Sequence, residues 1–509
     1  MRRQREVSIS SPPDPLACCS LSTLPVTYDV PPVTTPSAFQ TSAARTSLTR
    51  ILGLGFGLAV IFGGTVGVGI LRLPGTIAGQ LGSFWPIMIV WVAGGGYALL
   101  GAISLAELGT AMPQAGGFYI YSKRAFGPAA GFAVGWADWL NNCAVVAYAA
   151  VAASEYLAAL VPAMAARQTW VALALLFLFC ALQWTGLRLS SSVQQVTSSV
   201  TAITFIALAV ACLLHHPVAT NAAAAGVGLA NSGISDPNLA NQGLAGLSPF
   251  ALARSHGLLF MLAPIVAALR AIVVTYDGWY EAIYFTEEDT DVTRHLPRAM
   301  IGGVVIVISL YLLMNLAFLH VLTIPALAAS KLPAADAARI VFPAWSGSFV
   351  TVLSLLTLLS LMNAVLLGAP RILLAIGRDG LFTERAARVG PGGTPRPALL
   401  VSTAVIALFI ASGKFEDIIA VAAILVAAMY CVNYIAVITL RIREPNMPRP
   451  FRAWGYPVTT VLVLAGSILF LVAAANDDRT SAVRAAVLLA VAFPVYIWMR
   501  RKRAAPGRT

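Results

Sequence analysis

The stretch ALRAIVVTYDGWYEAIYF, residues 268–285, places charged residues and a glycine inside a long apolar run. Asp277 and Gly278 are poor helix formers, so TYDGW predicts an interruption near the middle of a helix. Ionisable residues inside a membrane segment are costly and mark functional sites by default. The stretch therefore indicates a polar site within a broken membrane helix.

The rest of the chain has the composition of a helical membrane protein. Of its 509 residues, 58% are hydrophobic and only 11% are charged, whereas a soluble globular protein averages about 25% charged residues. The apolar blocks are about 20 residues long, which suits membrane helices, and they lack the alternation of a membrane barrel. The net charge of +12 comes from basic residues between these blocks, so it does not indicate a nucleic-acid partner.

Twelve apolar segments are predicted to span the membrane. If the N-terminus is cytoplasmic, the inside segments carry roughly three times as many Lys and Arg residues as the outside segments. Both termini are therefore expected in the cytoplasm and the chain in the cytoplasmic membrane. The predicted spans cover about residues 50–73, 84–107, 127–160, 168–187, 191–214, 257–286, 297–322, 344–376, 396–413, 416–440, 456–475 and 481–499.

The first span carries an interruption of its own. Its sequence, ILGLGFGLAVIFGGTVGVGILRLPG at 51–75, contains Gly63, Gly64, Gly67 and Gly69, each of which weakens a helix by about 1 kcal/mol relative to alanine. Close helix packing is the alternative reason for such glycines. Spans 1 and 6 begin successive sets of five spans, so matching breaks predict an inverted repeat with a site at the membrane midplane.

Broken helices suit a zwitterion. Their N-terminal ends present N–H groups and a partial positive charge to a carboxylate, and their C-terminal carbonyls suit an ammonium group. An α-amino acid is therefore the expected ligand. The predicted organisation is a disordered N-tail at 1–47, a ten-helix core at 48–440 (repeats at 48–214 and 257–440, extracytoplasmic loop at 215–256), helices 11–12 at 441–499 and a C-tail at 500–509.

Several further segments resemble one transporter family. They are GVGI at 67–70, SLAELGTAMPQAGGFYIY at 104–121, YDGWYEAIYFTEE at 276–288, LPRAM at 296–300, PRILLAIGRDGLF at 370–382, TPRP at 394–397 and REPNMPRPFRAWGYP at 443–457. In this order they are similar to the amino acid–polyamine–organocation transporters, closest to the L-type amino acid branch. The resemblance implies an all-α membrane protein with twelve transmembrane helices and a LeuT-like five-plus-five inverted repeat, in which helices 1 and 6 are discontinuous.

The chain departs from the family pattern in three places. Val68 stands where the family usually has serine, Val274 stands where L-type relatives commonly have a gating aromatic residue, and span 5 lacks the lysine of some proton-coupled relatives. Tyr276 or Trp279 is expected to close the gate instead. The missing lysine weakens a lysine-based proton mechanism.

The substrate site is expected to consist of the residues around the two breaks: Thr65, Val66, Gly67, Val68, Gly69, Thr275, Tyr276, Asp277 and Gly278. Asp277 either contacts substrate or caps the helix that follows it. Gate or pathway candidates are Arg270, Trp279, Asp138, Asn142 and Asn363. For Arg270 the alternatives are an ion pair with Asp138 or Glu155 and contact with water in the vestibule. For Asp138, Asn142 and Asn363 the alternative is a structural hydrogen bond.

Charges at the inner side have two interpretations as well. The resemblance suggests that Glu287, Glu288, Arg294 and Arg298 form an inner gate network. For any one of these residues, a solvated charge at the membrane interface is the favoured interpretation. Glu107 is expected to pair with Lys123 or Arg124.

These patterns favour a secondary transporter of L-α-amino acids, neutral ones before others. A cationic amino acid or polyamine antiporter is the second hypothesis and a transporter-like sensor a weaker third. No hydrolase, zinc-protease or phosphate-loop motif occurs, so no enzyme, metal or other cofactor is expected. The expected partners are the amino acid, the lipid bilayer, and a coupling H⁺ or Na⁺ or a counter-substrate.

Overall fold

The structure is a computed structural model that describes residues 47–67, 69–215, 258–413 and 415–504. These residues are almost entirely helical, because the apolar blocks can satisfy their backbone hydrogen bonds internally only as helices. The α-helices are α1 Leu54–Thr65, α2 Gly69–Leu81, α3 Phe84–Ala111, α4 Phe118–Phe126, α5 Pro128–Leu160, α6 Gln168–Thr185, α7 Leu187–Leu214, α8 Leu258–Thr275, α9 Val292–Val321, α10 Ile324–Ala329, α11 Pro333–Val341, α12 Ser346–Arg378, α13 Arg396–Ser412, α14 Phe415–Arg443, α15 Val458–Asp477 and α16 Arg479–Ala504.

Within these described ranges, nine helices are long and apolar enough to cross a membrane. A tenth span results if α1 and α2, which are bent by 48°, are counted together. The helix α13 and the apolar part of α8, Pro264–Thr275, are shorter. The prediction of an all-helical integral membrane protein is confirmed, and the count of twelve crossings stays a prediction. The expected tail at 1–47 and loop at 215–256 fall almost wholly outside the described residues.

Two predicted spans differ in detail from the observed helices. The first was expected to end near residue 73, but α2 continues to Leu81 through Pro74. Gly75 lets α2 pass close to the segment beside it, because an added Cβ would lie 2.5 Å from the carbonyl oxygen of Ser330. The second half of span 6 is a five-residue 3-10 helix, Glu281–Phe285, and Gly278 at φ 101° lies in the turn that separates it from α8.

The helices pack in two groups. One group contains α1, α3, α8 and α9, with α2 packed against α8. The other contains α5, α6, α12 and α13, in which the long helices α5 and α12 lie against each other. The helix α1 also contacts α12, and α7 contacts α1, α9 and α12. The break between α1 and α2 therefore lies close to the boundary between the groups.

Candidate functional site

The two helix breaks lie in direct contact. The helix α1 ends at Thr65, and Val66 follows in an extended conformation with φ −77° and ψ 93°. The helix α8 ends at Thr275, and Gly278 follows at φ 101°. A Cβ added to Gly278 would collide with the Gly64 carbonyl oxygen and lie 3.0 Å from the Thr65 nitrogen. Two interruptions that are 210 residues apart in sequence, at Thr65 and Thr275, thus form one site, and glycine is required at this contact.

One hydroxyl joins the C-terminal ends of both broken helices. The Tyr311 hydroxyl of α9 lies 3.1 Å from the carbonyl oxygen of Thr65 and 3.1 Å from that of Thr275. A hydroxyl has a single proton to donate, so the two carbonyls share it. The Tyr311 side chain is fully buried. The sequence analysis did not identify Tyr311. The only indication in the sequence was that it is a single tyrosine within the apolar run of span 7.

Other predicted site residues surround this junction. The Thr65 hydroxyl oxygen is buried and has no hydrogen-bond partner, so it is free to meet a ligand. Gly67 is only partly buried, and a Cβ added there would lie 3.9 Å from Leu361. Gly69, the first residue of α2, is packed more tightly, because its Cβ would lie 2.9 Å from the Thr275 methyl carbon. Val68 lies outside the described residues.

Aromatic side chains close one side of the junction. The Tyr276 hydroxyl donates to the Trp91 carbonyl at 3.3 Å, and the Tyr276 ring centroid lies 4.9 Å from that of Tyr311. Trp279 stacks on Tyr430, with ring centroids 5.6 Å apart. Tyr276 and Trp279 are almost fully buried, whereas Val274 is exposed. Both gate candidates therefore face the core, and Val274 does not.

Asp277 does not cap the segment that follows it. Tyr280 occupies the N-cap position of the 3-10 helix and makes no side-chain cap. The Tyr430 hydroxyl of α14 donates to the Asp277 carboxylate instead, and Asp277 is thereby tied across the bundle. The capping alternative was therefore wrong, because the chain turns through three residues after Asp277 before helical structure resumes.

Asp138, Asn142 and Asn363 all make hydrogen bonds inside the bundle. The Tyr284 hydroxyl donates to Asp138 at 2.7 Å, and the Asn142 amide donates to it at 3.2 Å. The second Asp138 carboxylate oxygen has no partner. The Asn363 amide donates to the Gln194 side-chain oxygen at 2.9 Å. These contacts are the structural hydrogen bonds of the second interpretation. They link α5 to the 3-10 helix and α12 to α7.

Arg270 has a partner that the sequence did not indicate. Its guanidinium lies 2.6 Å from the Asp477 carboxylate at the end of α15, and not beside Asp138 or Glu155. The reason is that α8 packs on α15 at this end of the bundle. Both side chains are partly exposed, so the pair contributes little stability. It does attach the outer part of α8 to a peripheral helix.

The neutral amide of Gln194 lies beside α1. Gln194 belongs to α7, which corresponds to predicted span 5, where some proton-coupled relatives have a lysine. The Gln194 amide of α7 lies 3.3 Å from the Ala59 carbonyl oxygen, 3.0 Å from the Ser198 hydroxyl and 3.2 Å from the Ser360 hydroxyl. An added Cβ on Gly63 would collide with this amide. Polar atoms of α1, α7 and α12 therefore meet one turn before the break, and the amide of Gln194 occupies their centre.

Charged side chains fix the segment after the break. Arg371 of α12 donates to Glu288 at 2.5 and 2.8 Å, and both side chains are buried. Arg378 donates to Glu287 at 2.7 Å. Burial raises the pKa of Glu287, but hydrogen bonds from Arg378 and the Ala115 N–H outweigh it and lower that pKa below its ordinary value. Solvated charge is thus the wrong interpretation for Glu287 and Glu288.

The other charged residues at the predicted inner side are either exposed or paired with residues that the sequence did not indicate. Arg294 is exposed and lies 3.6 Å from Asp291, and Arg298 is exposed, as expected for solvated charge. The predicted partners of Glu107 were wrong: its carboxylate lies 2.5 Å from Arg441 and 3.1 Å from Arg449. Lys123 and Arg124 instead pair with Asp379 and Glu444, at 2.6 and 2.8 Å. Among the residues that the structure describes, no group of three or more His, Cys, Asp or Glu could hold a metal ion.

Known proteins similar to this chain share one activity. The model of the amino acid permease family matches residues 56–498. The serine/threonine exchanger of Bacillus subtilis is 24% identical over 462 residues, which cover 90% of this chain and 98% of the relative. The human b(0,+)-type amino acid transporter 1 is 26% identical, with 84% of this chain and 83% of the relative covered. The human Asc-type amino acid transporter 1 is 27% identical, with 81% and 75% covered.

The family match extends over the helices that form the junction and over nearly all of the membrane region. The family and these relatives are transporters and not enzymes. Broken helices, a contact between the two breaks and a buried polar junction are all consistent with such a role. The chain belongs to the amino acid permease family.

Proposed function

We propose that this protein is a secondary active transporter that moves L-α-amino acids, preferentially neutral ones, across the cytoplasmic membrane by alternating access. The observation that carries the proposal is the junction of the two breaks, where the ends of α1 and α8 present carbonyl oxygens at a single hydroxyl, Tyr311. Free helix ends recognise the charges shared by all α-amino acids. Side-chain chemistry is not needed for that recognition.

The proposed binding residues lie on both sides of the junction. The carbonyl ends of α1 and α8 at Thr65 and Thr275 would receive the ammonium group. The start of α2, at Gly67, Val68 and Gly69, would receive the carboxylate on its free N–H groups. Val66, Tyr276, Asp277 and Gly278 complete the proposed site around the substrate.

The two packing groups supply the moving parts. The group of α1, α3, α8 and α9 would rock against the group of α5, α6, α12 and α13, with the broken helices at the boundary. This motion assumes twelve crossings and a five-plus-five inverted repeat, and the two broken helices at equivalent positions support that arrangement. The excess of basic residues in the predicted inner loops supports cytoplasmic termini.

A cationic amino acid or polyamine antiporter is the second candidate. Two buried carboxyl groups, Asp138 and Glu281, and the partly buried Asp277 favour it. Neutral substrates are favoured because Asp138 and Asp277 already accept hydrogen bonds from Tyr284 and Tyr430. The name of the Bacillus relative, a serine/threonine exchanger, points in the same direction.

Uptake into proteoliposomes tests the proposal. Purified protein is reconstituted, and uptake of labelled L-serine, L-leucine, L-lysine and putrescine is measured with and without internal amino acid, a Na⁺ gradient and a pH gradient. Neutral amino acids should enter, and lysine and putrescine should enter more slowly. Preferential uptake of lysine or putrescine would establish the second candidate. Binding of an amino acid without uptake under any condition would contradict transport and indicate a sensor.

A further inference from the structure

Glu281, the first residue of the 3-10 helix, lies between the two packing groups. A Cβ added to Gly64 of α1 would lie 2.6 Å from the Glu281 Cγ atom. A Cβ added to Gly368 of α12 would lie 3.2 Å from the Glu281 Oε2 atom. Both helices therefore approach this side chain through a glycine, and Glu281 is only 2% exposed.

The carboxyl group of Glu281 lacks the partners that would stabilise a charge. Its Oε2 atom has no hydrogen-bond partner, and no ion pair of Glu281 occurs among the described side chains. On α12, Arg371 lies one turn beyond Gly368, but it binds Glu288. An isolated buried carboxylate is strongly disfavoured. The close contact of α1 and α12 around Glu281 therefore requires that this side chain be a neutral acid or be paired with a bound cation.

The neighbouring acids differ from Glu281. Asp138 of α5 accepts a hydrogen bond from Tyr284, and Asp277 accepts one from Tyr430. Hydrogen bonds of this kind favour the ionised form of a carboxyl group. Tyr280 and Tyr284 of the same segment also interact electrostatically with Glu281, and α1 contributes no titratable residue. Of these three carboxyl groups, Glu281 is the one that accepts no hydrogen bond from the described residues.

We propose that Glu281 is a proton-binding site that couples transport to a proton gradient, an inference that rests on the proposed transport function. The proton binds the carboxylate when the contact between α1 and α12 is open to water. The neutral side chain then allows the contact to close. Reopening on the other side hydrates the acid and releases the proton. A metal cation would need several oxygen ligands and space around it, whereas the glycine contacts leave little space and a proton needs none.

The test uses the full-length protein in proteoliposomes loaded with the pH dye pyranine. Exchange of external labelled L-serine for internal L-serine at equal pH first measures transport itself. Net L-serine uptake is then measured without internal amino acid, at equal pH and with the outside one pH unit more acidic. For one proton per amino acid, that gradient supports about tenfold accumulation. Wild type should accumulate L-serine, and the dye should report acidification.

Glu281→Gln keeps the shape of the side chain but cannot exchange a proton. Its uptake should gain nothing from the gradient, and any exchange that it retains should not depend on external pH. Glu155→Gln removes a carboxyl group from an exposed position of α5 and should respond like wild type. Folding of both variants is checked by size-exclusion chromatography, and the dye assay on wild type stands even if Glu281→Gln fails that check.

The other outcomes separate the two proposals. If wild type exchanges L-serine but shows neither gradient-driven uptake nor acidification, the proton site is wrong and transport stands. Gradient-driven accumulation that persists in Glu281→Gln also overturns the proton site. Loss of only L-lysine uptake in that variant would mean that the carboxylate binds cationic substrate instead. Absence of exchange with every amino acid tested would remove the transport function, and the proton site with it.

Discussion

The hydroxyl of Tyr311 lies 3.1 Å from the carbonyl oxygen of Thr275, the last residue of α8. The same hydroxyl lies at an equal distance from the last carbonyl of α1. One side chain of an unbroken helix thus joins the ends of two broken ones. The C-terminal ends of helices normally leave their carbonyls without partners, and here a single proton serves both.

Tyr311→Phe removes this hydroxyl and keeps the ring that packs on Tyr276. The two buried carbonyls lose their shared partner, which costs about 1–3 kcal/mol. We therefore expect amino acid affinity to fall by about 5-fold to 150-fold, measured as the Kd of the purified protein. Tyr97→Phe is the matched control, because Tyr97 bonds Ser467 of α15 away from the junction. Unchanged affinity in Tyr311→Phe would show that the bridge does not shape the site.

Gly278→Ala should separate the two breaks. The added methyl group collides with the Gly64 carbonyl, and alanine at φ 101° is strained. Binding and transport should be lost while membrane insertion persists, as measured by ligand binding and by the amount of membrane-inserted protein. Gly96→Ala of α3 is the control, since an added Cβ there meets nothing within 4 Å.

Gly69→Leu tests the other side of the same junction. A Cβ at this position would already lie 2.9 Å from Thr275, and leucine adds three more carbons. The variant should insert normally and bind no amino acid, as shown by a thermal-shift titration with L-serine. Normal binding would place the substrate away from the start of α2.

Arg371→Ala should destabilise the protein more than most changes of a single charge. It leaves Glu288 buried without its partner, and breaking a buried pair costs about 3–5 kcal/mol. A lowered Tm of the detergent-solubilised protein would report this loss. Arg294→Ala removes an exposed arginine and should change stability by less than about 1 kcal/mol. The double variant Arg371→Met with Glu288→Leu should recover much of the lost Tm, which a purely steric explanation would not predict.

Gln194→Leu should weaken the packing of α1 on α7. The leucine removes the Gln194 hydrogen bonds to the Ala59 carbonyl and the Asn363 amide. Both groups keep a second partner, in Ser198 and Ser190, so each lost bond costs about 0.5–1.5 kcal/mol. Tm and exchange rate should both fall. Gln195→Leu is the matched control, because among the described residues the Gln195 amide donates to a carbonyl of its own helix and to no other helix. Equal effects in the two variants would contradict a special role for Gln194.

Much of the helical architecture could be predicted because membrane helices follow local rules. A run of apolar residues of sufficient length indicates a helix wherever it stands, and glycine or aspartate within it indicates a break. The positions of the breaks at TVGVG and TYDGW were therefore accessible from the sequence. The number of residues in each break could not be predicted, because the 3-10 form of 281–285 depends on packing against α1 and α12.

The partners of individual side chains could not be predicted in the same way. An ion pair of Arg270 with an acid in span 3 was one alternative, but its contact with Asp477 depends on how α8 and α15 cross. Glu107 lies close in sequence to Lys123, yet it pairs with arginines more than 330 residues away. Tyr311 lies outside every recognised motif, and only the meeting of three helices gives it a role.

The proposed site recognises its ligand largely through the main chain, and this has a consequence for engineering. A carbonyl or an N–H group is the same whatever side chain it carries, so the common part of every amino acid can be held while the surrounding side chains change. Thr65 and Tyr276 could then be varied to redirect selectivity without rebuilding the anchor, provided that Gly278 and Tyr311 are kept. The chain thus offers a scaffold in which recognition of the substrate's shared atoms and choice among its side chains can be selected independently.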